Sequence, residues 1–332
     1  MRPPRPPILL DAAYEDPAAV CALVPRNAPY WPVMRYLPNA TELRAAGGNA
    51  VAQHAGVLPW FRGDWAHDGP KIPGLEPVLE NPRFLEAARQ LFDGEIVRPQ
   101  SVYVNLMAPI AEGGEAHLDV PVFRGIERDR YPIWLLNTMG RSGLFRDWQI
   151  DVATAVSWFY SGEGGAFDYW AEGHETPPQR LGAPLDNRAV VGDNDFMFHR
   201  VDAIGPANAP SNEFVSLASE LFSLSDGSWE VREGEAVLAR YPAEALRVSV
   251  SWKALVFRDA EAAGRYDEGA DALVLDEVVA RLLADLEARG QGMTPPADPL
   301  RDTAFVEALS HAHVLPDRIY PSEDETRLHA AH

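Results

Sequence analysis

The spacing of apolar residues changes its period twice along this chain, and that change limits the folds open to it. Between about Val97 and Arg258, the runs SVYVNLM, DVATAVSWFYSG, RAVVGDNDFMFHR and LRVSVSWKALVF follow a period of two. They are rich in Val, Phe, Trp, Tyr and Thr and bounded by Gly, Pro or Asp, the pattern of half-buried strands. An antiparallel sandwich or barrel is therefore predicted over residues 97–258. On either side the period is helical. In NPRFLEAARQLFDG, Asn81 caps, Pro82 takes the first helical position, Phe84, Leu85, Ala88, Leu91 and Phe92 share a face, and Gly94 ends the run. In DALVLDEVVARLLADLEARG, Leu275, Val278, Val279, Leu282, Leu283 and Leu286 form a stripe that Gly290 closes, and a shorter helix is predicted at 303–309. Three parts follow: a helical or irregular segment packed on the core (1–96), a β core (97–258) and a helical extension (259–332). The fold class is mainly β with flanking helices. The 271–289 stripe either packs on the core or forms a homodimer contact.

Composition removes several function classes. With 332 residues, 46% of them hydrophobic, the polypeptide is able to bury a full core. Lys and Arg number 29 against 49 Asp and Glu, a net charge of −20, which repels a phosphate backbone and argues against nucleic acid as a partner. Cys21 stands alone, so neither an internal disulfide nor a thiolate metal cluster is expected. The first apolar run, Ile8–Leu10, is too short for a signal peptide, and no run is long enough to span a membrane. A cytoplasmic protein without a membrane partner is expected.

Nine histidines narrow the chemistry. Of these, His117 opens an H-x-D, and on extended backbone His117 and Asp119 project to one side. The run ending in DNDFMFHR, read as a strand, sets Phe196 and Phe198 on one face and Met197 and His199 on the other. Two imidazoles and a carboxylate on a β scaffold make a facial triad suited to Fe(II), with zinc in an open site as the competing metal. In LRVSVSWKALVF, Arg247, Ser249 and Ser251 share a face. Should that face point inward, the guanidinium needs a carboxylate that its own strand lacks, and a dicarboxylate ligand would supply it. His311 and His313 diverge on a helix and read as surface. His54, His67 and His174 lie in loops without a partnering pattern.

H-x-D, a Gly-Gly strand (SGEGGAFDYW), a distal His and R-x-S, in that order, resemble the non-haem Fe(II)- and 2-oxoglutarate-dependent dioxygenases. The helix at 81–94 is similar to their phytanoyl-CoA hydroxylase-like branch, and YVNLMAPIAEGGEAHLD to prolyl-hydroxylase-like members. The resemblance covers about 81–258 and implies a double-stranded β-helix (jelly-roll or cupin-like) core. It implies iron on His117, Asp119 and His199, and 2-oxoglutarate chelating that iron while its far carboxylate meets Arg247 and Ser249. Tyr103 and Asn105 would lean over this co-substrate. Dioxygen is then consumed, succinate and CO2 are released, and a C–H bond of a small organic substrate is hydroxylated. Asp119 leaves no vacated position for a halide, which argues against halogenation. Arg247 lies farther after the distal His than the family pattern has it, so an insertion is expected near 205–243, and Arg141, Arg188 and Arg200 are the alternatives to Arg247. Arg200 is the least favoured because it faces away from His199. Arg124, Arg128 and Arg130, in the loop after H-x-D, suggest an anionic substrate. Two rivals stand beside this reading: an iron oxidase or cupin-like metalloenzyme that does not use 2-oxoglutarate, and a non-catalytic jelly-roll binding protein.

Overall fold

The computed structural model describes residues 2–36, 58–206, 209, 215–269 and 271–315; His54 lies outside them. With strands numbered in order of sequence, the larger sheet runs β1 (Ile8–Leu10), β9 (Ala189–Gly192), β6 (Gln149–Phe159), β14 (Arg247–Phe257), β4 (Ile96–Met107), β3 (Trp60–His67) and β2 (Trp31–Pro32), and β5 (Val122–Phe123) joins one end of β6. A smaller sheet holds β8 (Gln179–Leu181), β7 (Phe167–Tyr169) and β10 (His199–Val201). Residues 110–117 extend its edge, because Ile110 exchanges both backbone hydrogen bonds with Ile204, and His117 does the same with His199.

Followed in sequence, the backbone enters the large sheet as β4, crosses to the small sheet at 110–117, returns as β6, crosses as β7 and β8, returns as β9, crosses as β10 and returns as β14. This alternation between two facing sheets is the double-stranded β-helix, as the sequence led us to expect. Between β10 and β14 lies a meander of β11 (Glu220–Ser223), β12 (Trp229–Glu233) and β13 (Ala236–Tyr241).

Register decides which side chains enter the space between the sheets. Residues directly opposite in neighbouring strands share a face. Arg247 opposes Met107, Ser249 opposes Asn105, Ser251 opposes Tyr103 and Lys253 opposes Thr154, which makes one polar inner face. The other face carries Val102, Val104, Val250 and Trp252 and packs under the helix Pro82–Phe92. The Phe84 and Trp252 rings lie 5.6 Å apart there, and Trp252 Nε1 donates to Leu79 O at 2.9 Å. The helix starts where expected, its first turn capped by Asn81 Oδ1, which accepts from the backbone of Arg83 and Phe84.

Several expectations change. The 1–96 segment supplies β1, β2 and β3 to the large sheet besides its helices. RAVVGDNDFMFHR is two strands, β9 and β10, broken by a turn in which Phe196 and Met197 both donate to Asp193 O. The assumed alternation of Phe196, Met197, Phe198 and His199 therefore does not hold. A helix at Ile133–Ser142, within what read as an all-strand core, ends at Gly143 with φ 69°. Its Trp134, Leu135 and Met139 share a core with Val278, Leu282 and Leu286 of the helix Leu275–Ala288 and with Phe305 and Leu309 of the helix Thr303–Ala312. That stripe is therefore covered by its own polypeptide. His313, read as surface, is 5% exposed with Nε2 3.1 Å from Asp285, because it caps the last helix and turns back toward its neighbour. Among the described residues no helix is long and apolar enough to cross a membrane.

Candidate active site

The turn before β10 and the edge segment beside it bring His117 and His199 together, with ring centroids 4.4 Å apart. Each ring is oriented by its own backbone: His117 Nδ1 lies 2.9 Å from Glu115 O, and His199 Nδ1 lies 3.1 Å from Met197 O. A carbonyl oxygen only accepts, so Nδ1 carries a proton in both rings, and in the neutral tautomer this selects Nε2 keeps its lone pair for a ligand. Burial, with His117 alongside, pushes His199 down to about 4, so its ring is neutral near pH 7.

Asp119 is tied by its backbone N–H to Asn194 O and directs Oδ1 to within 4.0 Å of His199 Nε2. Its Oδ2 receives Lys253 Nζ at 3.0 Å and Thr154 Oγ1 at 3.2 Å. Burial opposes its charge, but Lys253 and then the two imidazoles outweigh that and hold the carboxyl well below the usual range. Lys253 and Thr154 are cross-strand neighbours on the inner face, so the sheet register delivers both to one carboxylate oxygen. Among the described residues no three His, Cys, Asp or Glu side chains already enclose a point that would hold a metal ion. The donor set nonetheless fits one: two imidazoles with free Nε2 and an ionised carboxylate suit ferrous iron. The 4.0 Å between His199 Nε2 and Asp119 Oδ1 is wider than the ~3.0–3.4 Å between neighbouring ligand atoms about 2.1 Å from one ion, so the fit lies in the chemistry of the donors and these two would have to draw together on an ion.

Arg247 is 1% exposed and crosses the interior from β14, donating through Nε to Gly165 O at 2.7 Å. Among the described residues Nη1 meets only Met107 Sδ at 3.7 Å, and Nη2 has no hydrogen-bond partner. Burial drags this guanidinium down to about 9. Gly165, at φ 65°, leaves room for it, since a Cβ there would stand 2.9 Å from Arg247 Cδ. Trp158, Phe167 and the His199 ring form a wall with centroid spacings of 5.2 and 5.8 Å, and Arg247 Cζ lies 5.8 Å from the Trp158 ring. Ser249 is buried opposite Asn105 and Trp158, and Tyr103 lies under Arg62 at 3.8 Å, on the same inner face.

The alternatives to Arg247 divide clearly. Arg188 is 3.6 Å from Asp11 and Arg200 is 3.0 Å from Asp168, so both are paired elsewhere, while Arg141 lines a separate pocket beside Asp119. Arg124, expected to meet an anionic substrate, is instead held by Asp271 at 2.9 Å and by Asp147 O at 2.7 Å. The connection at 271–273 lies across that loop: Leu273 N–H donates to Arg124 O. Lys253 and Thr154 were missed in the sequence. Lys253 continues the alternation Arg247, Ser249, Ser251 by one step, and that continuation was the available signal.

No family model matches this sequence, and no curated protein matches it. Among solved structures, a 2OG-Fe(II) oxygenase family oxidoreductase from Burkholderia pseudomallei is 13% identical over 76% of this sequence and 87% of its own, with a TM-score of 0.41. A prolyl-4-hydroxylase from Pseudomonas putida is also 13% identical, over 76% and 94%, at 0.36. A Trichoplax adhaerens prolyl hydroxylase bound to a hypoxia-inducible-factor peptide fragment is 10% identical over 78% and 86%, at 0.38. Likenesses this distant leave the activity to be argued from the residues of the site itself.

Proposed function

We propose that this protein is an iron(II)- and 2-oxoglutarate-dependent dioxygenase that hydroxylates a C–H bond of a small organic substrate. The observation that carries the reading is Arg247, a guanidinium buried between the sheets that has, among the described residues, no carboxylate partner and one nitrogen without any partner. Leaving such a charge uncompensated costs several kcal/mol. A dicarboxylate whose far end binds there removes that cost, and the planar fork of arginine suits a carboxylate better than a lysine would.

His117, Asp119 and His199 would hold the iron, and Arg247 with Ser249 the far carboxylate, with Tyr103 and Asn105 along the co-substrate. Bound there, iron supplies the redox chemistry by which 2-oxoglutarate, O2 and R–H become succinate, CO2 and R–OH. The protein's own contribution is positional. The Glu115 and Met197 carbonyls fix the imidazole tautomers, Lys253 and Thr154 hold one oxygen of Asp119 so that the other faces His199, and Trp158 and Phe167 keep water from the interior.

Anaerobic addition of Fe(II) and then 2-oxoglutarate should produce the visible charge-transfer band of a chelated keto acid, and admission of air should yield succinate. Iron bound with neither response would sink this reading in favour of a metalloenzyme that uses no keto acid. No iron affinity at all would leave a binding protein.

A further inference from the structure

A second group of polar side chains adjoins Asp119, and the chemistry above does not use it. Asp119 lines an open pocket of about 360 Å³, the part reaching into solvent included, together with Asn137, Arg141, Gln149 and Asp195. Asn137 and Arg141 lie four residues apart on the helix Ile133–Ser142 and so on one face of it. Pro121, just after the H-x-D, seats this helix: a Cβ on Gly140 would stand 2.9 Å from Pro121 Cγ.

Two of these groups lack what they need. Arg141 makes no ion pair or hydrogen bond among the described residues. Asp195 is 8% exposed, and its Oδ1 has no hydrogen-bond partner among the described residues, although Gln149 meets the carboxyl. The charges around Asp195 do not compensate it: Asp119 and Asp193 are of its own sign, and Lys253 is already bound to Asp119 at 3.0 Å. One small pocket therefore holds a cation without an anion beside a carboxyl with one oxygen, Oδ1, that lacks a donor among the described residues. A ligand carrying a single charge would satisfy one of them; a zwitterion satisfies both.

We propose that this pocket is the substrate subsite and that it takes a free amino acid, with its carboxylate on Arg141 and its ammonium on Asp195. The proposal rests on the dioxygenase reading for its purpose, since a ligand held here would lie beside Asp119 and turn the C–H bonds of its own R group toward the metal centre. Its recognition chemistry belongs to the pocket alone.

Isothermal titration calorimetry against each of the twenty standard L-amino acids tests it, under argon with Fe(II) and 2-oxoglutarate and again with EDTA. At least one amino acid should bind in both conditions. Arg141→Met and the isosteric Asp195→Asn should each weaken it about tenfold or more, and Arg247→Met should leave binding in EDTA unchanged. The carboxylic acid with the same R group but no ammonium should bind more weakly and be indifferent to Asp195→Asn. No heat from any amino acid, affinity unaltered in both variants with circular dichroism intact, or equal affinity for the acid without ammonium would each overturn the subsite. A charge-transfer band without amino-acid binding sinks the subsite alone; amino-acid binding without the band sinks the dioxygenase reading alone.

Discussion

Arg247 is a burden on the empty fold, and this makes its role measurable apart from turnover. Its depressed proton affinity means that the charged form is disfavoured by folding. Arg247→Met should therefore leave the ligand-free protein as stable or more stable, by about 1 kcal/mol or more in denaturant midpoint, while abolishing the charge-transfer band. Stabilisation by 2-oxoglutarate, ~2.7 kcal/mol at a hundred times its Kd, should appear in the wild type and vanish in the variant. Lys253 presents the opposite case. Lys253→Met strands a buried carboxylate and should destabilise the metal-free protein by about 3 kcal/mol. Because a divalent ion replaces the missing cation, Mn(II) should raise the melting temperature of the variant more than that of the wild type; equal shifts would show that Lys253 does not hold Asp119. His199 gives the pH dependence. Its folded-state value, about 4, lies below the ordinary 6.5, so between these values the unfolded state binds more protons and stability rises with pH. Its contribution is intact above 6.5 and is lost as pH falls toward 4, by up to about 3 kcal/mol; urea titrations of the metal-free protein should show this slope and His199→Asn should flatten it. His117, Asp119, His199 and Arg247 were legible because each sits in a short local pattern. Asp195 and Thr154 were not, since what marks them is an absent or a distant partner.

At the scale of elements, legibility followed the length of the periodic run. The long strands β4, β6 and β14 and the capped helix Pro82–Phe92 are where alternation and caps put them, each with eleven or twelve residues voting for one period. The run 188–200 misled because Asp193, Asn194 and Asp195, which with the strand-ending Gly192 make a turn composition, lie between two strands of four and three residues. The helix Ile133–Ser142 escaped for the reverse reason: its cap position is Pro132, with no side-chain hydrogen bond, and its apolar residues run continuously through Trp134, Leu135 and Leu136. Burial on several sides erases the one-faced stripe by which an amphipathic helix is read. Asn81 shows what a legible cap contributes. Besides accepting from the first turn, its Nδ2 donates to Ala13 O at 2.9 Å in a buried site. Asn81→Ala should cost about 2 kcal/mol, the upper range for a cap, and less than 0.5 kcal/mol in chemical denaturation would show that water replaces it.

Taken whole, the molecule places its two flanking parts on different tasks. The N-terminal part closes the back of the large sheet, with Val20, Leu23, Phe84 and Phe92 in one core with Val104 and Trp252. Of the C-terminal part, the helix Ala260–Glu268 packs through Ala263 on Ile150, Val152, Leu255 and Phe257 of the large sheet, whereas the helices Leu275–Ala288 and Thr303–Ala312 share a core with Trp134, Leu135 and Met139, on the helix that also carries Asn137 and Arg141 to the pocket beside Asp119. The helices Leu275–Ala288 and Thr303–Ala312 therefore act as a buttress for the pocket rather than for His117, Asp119 and His199, which are fixed by β10, β14 and the 110–119 segment. Removing residues 303–332 takes away Phe305 and Leu309, both fully buried, and with them about 3–6 kcal/mol of apolar burial. That loss is local, because β4, β6 and β14 keep every ladder partner. Hydrogen exchange should find the amides of 133–142 exchanging much faster in the truncated protein while those of β6 and β14 stay protected. The same truncation should weaken amino-acid binding and leave the keto-acid charge-transfer band in place. Uniform loss of protection across both sheets would instead mean that the extension supports the whole fold, and the division of labour between the two flanks would fall with it.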